Sequence, residues 1–124
     1  MACVLVVEDQ QDVRDMLDLF LRSEGYETQL ATNGQEALER VRDCNPCLVL
    51  LDLMMPVMSG WEFRARQLQE PGIAGVPVLC ISAVHEPDEV KRRLNLHCLA
   101  KPLDFDELLA AVRARCQPTD ALGE

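Results

Sequence analysis

The chain has 124 residues, enough for one domain with a buried core and too few for a comfortable second. Its hydrophobic fraction of 48% is that of a folded globular protein, and with only 4% aromatic residues the core must come from Val, Leu, Ile, Met and Ala. A formal net charge of −9 speaks against direct contact with nucleic acid or anionic lipid, and no apolar run is long enough to span a membrane.

Apolar runs and amphipathic stretches alternate along the chain. Cys3 to Val7 is a short continuous apolar run, the pattern of a parallel strand buried on both faces. Val13, Met16, Leu17 and Phe20 follow at helical spacing, and Gly25 ends that pattern. Tyr26 to Ala31 reads as a second strand. Asn33 offers an N-cap with Glu36 three residues on, ahead of Ala37, Leu38 and Val41 on one face. Cys47 to Leu51 is the third and most apolar strand. Ser59 and Glu62 form a capping-box pair that opens another helix, and Gln69 to Gly75 is a turn-rich connection. Val76 to Ile81 is a fourth strand, and Pro87 can start a short helix through Leu94. His97 to Ala100 is a brief strand before Lys101 and Pro102. Asp104 and Glu107 cap a last helix that presents Leu108, Leu109 and Val112 to the core, with Arg113 and Arg115 at the negative end of its dipole. A short polar tail follows Gln117.

Strands alternating with helices of this size predict an α/β fold, a parallel sheet covered on both faces by right-handed crossovers. Ligands of such sheets bind beyond the carboxyl ends of the strands. There the chain places Glu8 and Asp9 after strand one, Asp52 after strand three, Ser82 after strand four and Lys101 after strand five. Each has a bland reading by itself, as a helix-dipole acid, a turn cap or a loop lysine. Together they describe a cleft of three carboxylates, one hydroxyl and one ammonium. Crowded carboxylates need a cation, and Mg²⁺ suits oxygen ligands and phosphate. An ionised aspartate can attack phosphorus, while Lys101 and Ser82 hold the equatorial oxygens.

Over nearly its whole length the chain resembles response-regulator receiver domains. VLVVEDQ is similar to that family's first strand and acidic pair, LLDLMMPVMSGWE to its phosphoacceptor strand and loop, and NGQEAL, CISA and AKPL to later landmarks. Thirty residues separate Asp52 from Ser82, as the family pattern requires. The resemblance implies a single flavodoxin-like (βα)5 doubly wound domain with strand order 2-1-3-4-5, over residues 1–117 with a polar tail at 118–124. It implies Asp52 as phosphoacceptor. Mg²⁺ would be held by Glu8, Asp9, Asp52 and the backbone carbonyl of Met54. Ser82 and Lys101 would grip the phosphoryl group, Ser82 would report it as part of a switch, and the Lys101–Pro102 bond would be cis. The implied function is a phosphorylation-dependent signalling switch rather than an enzyme acting on other substrates. Its donor would be a phosphohistidine on a sensor histidine kinase or phosphotransfer protein. Its output would be an unidentified protein or a phosphorylation-dependent dimer.

Two departures from the family pattern are visible. Three residues before the lysine, where the family usually has Tyr or Phe, stands Cys98, which cannot reproduce the swing of a ring; His97 precedes it and reads as structural or partly exposed. The nineteen residues from Ser82 to Lys101 are about three fewer than the family spacing, so the intervening helix is expected to be short or irregular. Met54 and Val84 cannot position water by a strong hydrogen bond, which predicts slow self-dephosphorylation.

Particular residues argue against three other readings. A haloacid-dehalogenase-like phosphatase would need a second acid where Met54 stands. Redox chemistry at Cys44-Asn45-Pro46-Cys47 would need the first thiol at a helix N-terminus, whereas this pair lies between a helix end and a strand start; Cys3 at the same end of the sheet leaves a metal site or a disulfide open, although zinc normally takes four ligands. A receiver-like module acting without phosphorylation is disfavoured by the intact acid, Asp, Ser and Lys set. With no secretion signal at the N-terminus, and with four of six cysteines in or beside apolar runs, reduced thiols and a cytoplasmic location are expected.

Overall fold

A computed structural model describes residues 3–53, 57–82, 92 and 96–116, Ser82 by its backbone. The five strands are β1 (Cys3–Val7), β2 (Glu27–Ala31), β3 (Leu48–Asp52), β4 (Val78–Ser82) and β5 (His97–Ala100). They form one parallel sheet in the order β2-β1-β3-β4-β5. The described helices are α1 (Gln11–Ser23), α2 (Gly34–Cys44), α3 (Gly60–Leu68) and α4 (Phe105–Arg113). The expected doubly wound α/β architecture and strand order are those observed.

The period-two geometry of a strand divides the central residues between two cores. Leu5, Val7, Val49 and Leu51 pack with Ala37, Leu38 and Val41 of α2 and Phe63 of α3 on one face. Val4, Val6, Leu48 and Leu50 pack with Leu17 and Leu21 of α1 and Leu108 and Val112 of α4 on the other. Continuous apolar strands are thus what a sheet buried on both sides needs.

Local signals set the helix ends. The Asn33 side chain accepts from the Glu36 N–H, and Asn45 closes α2 in the left-handed region at φ 46°. Ser59 and Glu62 complete a reciprocal capping box on α3. Asp104 accepts from the N–H groups of Asp106 and Glu107 at the start of α4. Gly25, at φ 93°, turns the chain from α1 into β2.

Three expectations shift. The buried stripe of α1 is Leu17 and Leu21, while Met16 is 42% exposed. Val13 and Phe20, partly buried, pack with Leu17 against the same core, so of the four residues at helical spacing Met16 alone lies off the buried face. Strands β2, β3 and β4 begin one or two residues later than the apolar runs. Leu109 is half-buried at the margin of the core that holds Leu108 and Val112. The short helix expected from Pro87 to Leu94 lies outside the described residues except for Arg92, and so does the tail from 117.

The cysteines depart from the expectation of separate reduced thiols. The sulfurs of Cys47 and Cys116 are in bonding contact, with Cα atoms 5.7 Å apart, and those of Cys80 and Cys98 likewise, at 4.5 Å. Both spans suit a disulfide. The neighbours in sequence, Cys44 and Cys47, are not joined: Cys44 lies beside Cys3, which shares a side-chain hydrogen bond with it. Cys47 is tied to Cys3 by its backbone, N–H to carbonyl at 2.9 Å.

Candidate functional site

Parallel strands all end at one edge of the sheet, so residues far apart in the chain meet there. The Glu8 N–H continues the ladder by donating to the Ala31 carbonyl at 3.0 Å, which fixes the acid just past β1. Asp52 is the last residue of β3, in register with Ile81. Carboxylate oxygens of Glu8, Asp9 and Asp52 lie within 4.8 Å of one another. Lys101, just beyond β5, reaches this cluster with Nζ 3.9 Å from Asp52 Oδ2 and 4.0 Å from Glu8 Oε1. The Lys101–Pro102 peptide is cis.

Burial makes these charges costly. Glu8 is 1% exposed and Asp52 5%, while Asp9 is at least partly exposed. Removal from water pushes the Glu8 carboxyl up from its ordinary 4.5 to about 7. The backbone N–H of Gln10 opposes this by donating to Glu8 Oε2 at 3.2 Å. The Asp52 carboxyl adds to the rise and Lys101 offsets part of it. Glu8 Oε1 is buried and has no hydrogen-bond donor among the described residues. A buried acceptor without a donor, beside two further carboxylates, is a donor set fitted to a hard cation such as Mg²⁺.

Close packing holds Asp52 in place. The Gly60 N–H donates to the Leu53 carbonyl at 3.1 Å. A Cβ at Gly60 would fall 2.7 Å from Leu53 Cα and 2.8 Å from the Asp52 carbonyl oxygen. The first turn of α3 therefore lies directly on the backbone that carries Asp52.

Sequence reasoning missed Arg14 and Gln10. The Arg14 guanidinium donates to the Glu8 carbonyl at 2.9 Å and to the Asp9 carbonyl at 3.4 Å, clamping the turn that carries both acids. Its signal was an arginine one turn into the helix that follows an acidic pair, which gains meaning only once the turn's direction is known. Of the residues singled out from sequence, Glu8, Asp9, Asp52 and Lys101 are brought together. The backbone of Ser82 ends β4 in register with Ala100, and its side-chain contacts lie outside the description. Met54 and Val84 also lie outside the described residues. Cys98 is half-buried in β5 against Cys80, and His97 is exposed.

Known proteins share this frame. The family model described as "Response regulator receiver domain" matches residues 4–113. The chain is 38% identical over 120 residues to the DNA-binding response regulator MtrA of Mycolicibacterium paratuberculosis, covering 94% of this chain and 52% of that protein. It thus spans about half the length of the curated relatives it matches. Its fold superimposes on the chemotaxis protein CheY4 of Vibrio cholerae with a TM-score of 0.85 at 28% identity, covering 93% of this chain and 98% of that one. The response regulator TrrA of Thermotoga maritima, solved with Mg²⁺ and a BeF group, gives a TM-score of 0.80 at 31% identity, covering 92% and 98%.

Proposed function

Since the chain belongs to the response regulator receiver domain family, we propose that it is the phosphorylation-dependent switch of a two-component phosphorelay, taking a phosphoryl group from a phosphohistidine donor onto Asp52. The observation that carries this reading is the convergence of Glu8, Asp9 and Asp52 within 4.8 Å, with Lys101 3.9 Å from the Asp52 carboxylate.

Asp52 acts as nucleophile. One of its carboxylate oxygens attacks phosphorus in line as the bond from phosphorus to the donor imidazole nitrogen breaks. Lys101 pairs with a phosphoryl oxygen, and Ser82 contacts another. Arg14 and Gln10 keep the acidic turn in shape. Glu8, Asp9, Asp52 and the Met54 carbonyl would hold Mg²⁺, which supplies positive charge for the clustered acids and for the phosphoryl oxygens. The chain catalyses its own modification and acts on no other substrate.

The new negative charge and acceptor oxygens would draw the ends of β4 and β5 toward Asp52, biasing the surface around β5 between two partner-binding states. The donor would be a sensor histidine kinase or phosphotransfer protein in the cytoplasm. The output would be a partner protein or a second copy of the chain. MtrA is a DNA-binding regulator about twice this length; the acidic body of this chain argues that any contact with nucleic acid would come from outside residues 1–117.

Incubation with Mg²⁺ and acetyl phosphate, read by intact mass, tests the reading. The wild-type chain should gain one phosphoryl mass, and chelation of Mg²⁺ or Asp52→Asn should abolish the gain. Unchanged labelling of the variant would remove Asp52 as acceptor.

A further inference from the structure

Two cysteines lie beside the phosphoryl-binding strand ends and play no part in that chemistry. Cys80 is in β4, two residues before Ser82, and Cys98 is in β5, three residues before Lys101. They are direct register partners in the parallel ladder, so their side chains leave the sheet on the same face. Their Cα atoms are 4.5 Å apart, within the span of a disulfide, so the bond needs no movement of either strand. Cys80 is fully buried, whereas Cys98 is partly exposed. A small oxidant can thus reach one thiol of the pair and not the other. β5 is an edge strand of four residues, paired among the described residues with β4 alone.

We infer that Cys80 and Cys98 form a reversible disulfide that fastens β5 to β4 and slows phosphoryl uptake, a thiol modification site that makes the switch answer to hydroperoxides. This regulation rests on the phosphorylation reading above. The Cys98 thiolate attacks a peroxide oxygen, the O–O bond breaks, and the departing hydroxide leaves as water after taking a proton. The resulting sulfenic acid is attacked by the Cys80 sulfur; the S–O bond breaks, and its hydroxyl departs as water with the Cys80 proton. Two thiols are oxidised and one peroxide is reduced to two waters. Thiols restore the pair by exchange. The bond acts on the site because Lys101 lies three residues from it, with Nζ 3.9 Å from Asp52 Oδ2, and pairs with the phosphoryl group that forms there. A covalent tie between the strands resists the movement of β5 that brings Lys101 onto a phosphoryl oxygen.

The test uses the full chain, reduced with dithiothreitol or oxidised with hydrogen peroxide, with free thiols then blocked and peptides mapped without reduction. A linked peptide pair containing Cys80 and Cys98 should appear on oxidation and vanish on reduction. Phosphoryl uptake from acetyl phosphate with Mg²⁺ should be about fivefold slower or more in the oxidised chain, the low end of ordinary coupling between sites, and should recover with dithiothreitol. Cys98→Ala, whatever its own rate, should react equally fast before and after peroxide, although the pair Cys47 and Cys116 remains. Absence of the linked peptide, or a bridge that leaves uptake unchanged, overturns the inference. If the reduced wild-type chain takes no phosphoryl group, the phosphorylation reading fails instead. Amide exchange then decides the device: slower exchange in β5 on oxidation upholds the strand fastening, and unchanged exchange sinks it.

Discussion

Glu8 shows how one buried atom shapes a site. Its carboxyl, pushed up to about 7 by burial and by Asp52, holds a proton in the folded metal-free chain that the unfolded chain releases near its ordinary 4.5. The folded state therefore binds more protons between those values. The stability contributed by this group is full below about pH 4.5 and is lost as pH rises toward 7. Urea denaturation in a chelator at about pH 5 and about pH 8 should show wild type losing on the order of 2–3 kcal/mol more than Glu8→Gln across that interval. Added Mg²⁺ should shrink the difference, because a cation favours the carboxylate form. A pH response identical in the two proteins would show that the Glu8 proton plays no part. The identity of this residue was legible in the sequence as one of an acidic pair. Its near-complete burial, in contrast to the partly exposed Asp9 beside it, was not, since it depends on how β1 and α1 pack around the turn.

At the scale of elements, caps were the most readable feature. Asn33, Ser59 and Asp104 each cap the helix expected of them, because a cap is a local hydrogen bond between a side chain and its own next turn. Close approaches between elements left no such trace. Gly60 follows the Ser59 cap and could have been an ordinary helix start, yet its missing side chain is what lets α3 rest on the backbone of Asp52 and Leu53. Both atoms a Cβ would strike closest are backbone and cannot swing aside. Gly60→Ala should therefore cost about 1–3 kcal/mol in denaturant titration. It should also slow labelling of Asp52, whereas Gly72→Ala, which meets nothing within 4 Å, should leave labelling unchanged. Equal effects of the two substitutions would contradict the packing argument. On α1 the apolar spacing marks Val13, Leu17 and Phe20, which do meet the core, whereas Met16 falls on the open edge of that stripe because the sheet selects which edge is buried.

At the scale of the molecule, Cys47 and Cys116 join the residue before β3 to the segment just beyond α4, across 69 residues. Closing so long a loop removes freedom chiefly from the unfolded chain, worth about 4 kcal/mol in the loop-entropy account. Unfolding of the oxidised chain should need correspondingly more urea than unfolding of the reduced chain, and Cys116→Ser should erase most of that gap. No change in midpoint on reduction would argue that this bridge is absent in solution. That bridge lies at the end of the sheet opposite the acidic cluster, and the proposed switch pair, Cys80 and Cys98, lies nearer the cluster.

What the sequence determined by itself were the properties that follow from neighbours along the chain: the alternation of strand and helix, the capped helix starts, and the placing of Glu8, Asp9, Asp52 and Lys101 at strand ends. Parallel pairing then brings every such end to one edge, so the cluster could be anticipated from a rule of topology. Tertiary structure alone decided the pairing of cysteines, the burial of Glu8, the Arg14 clamp and the need for glycine at position 60. Each of these depends on distances between segments remote in sequence, and no local pattern of residues encodes such a distance.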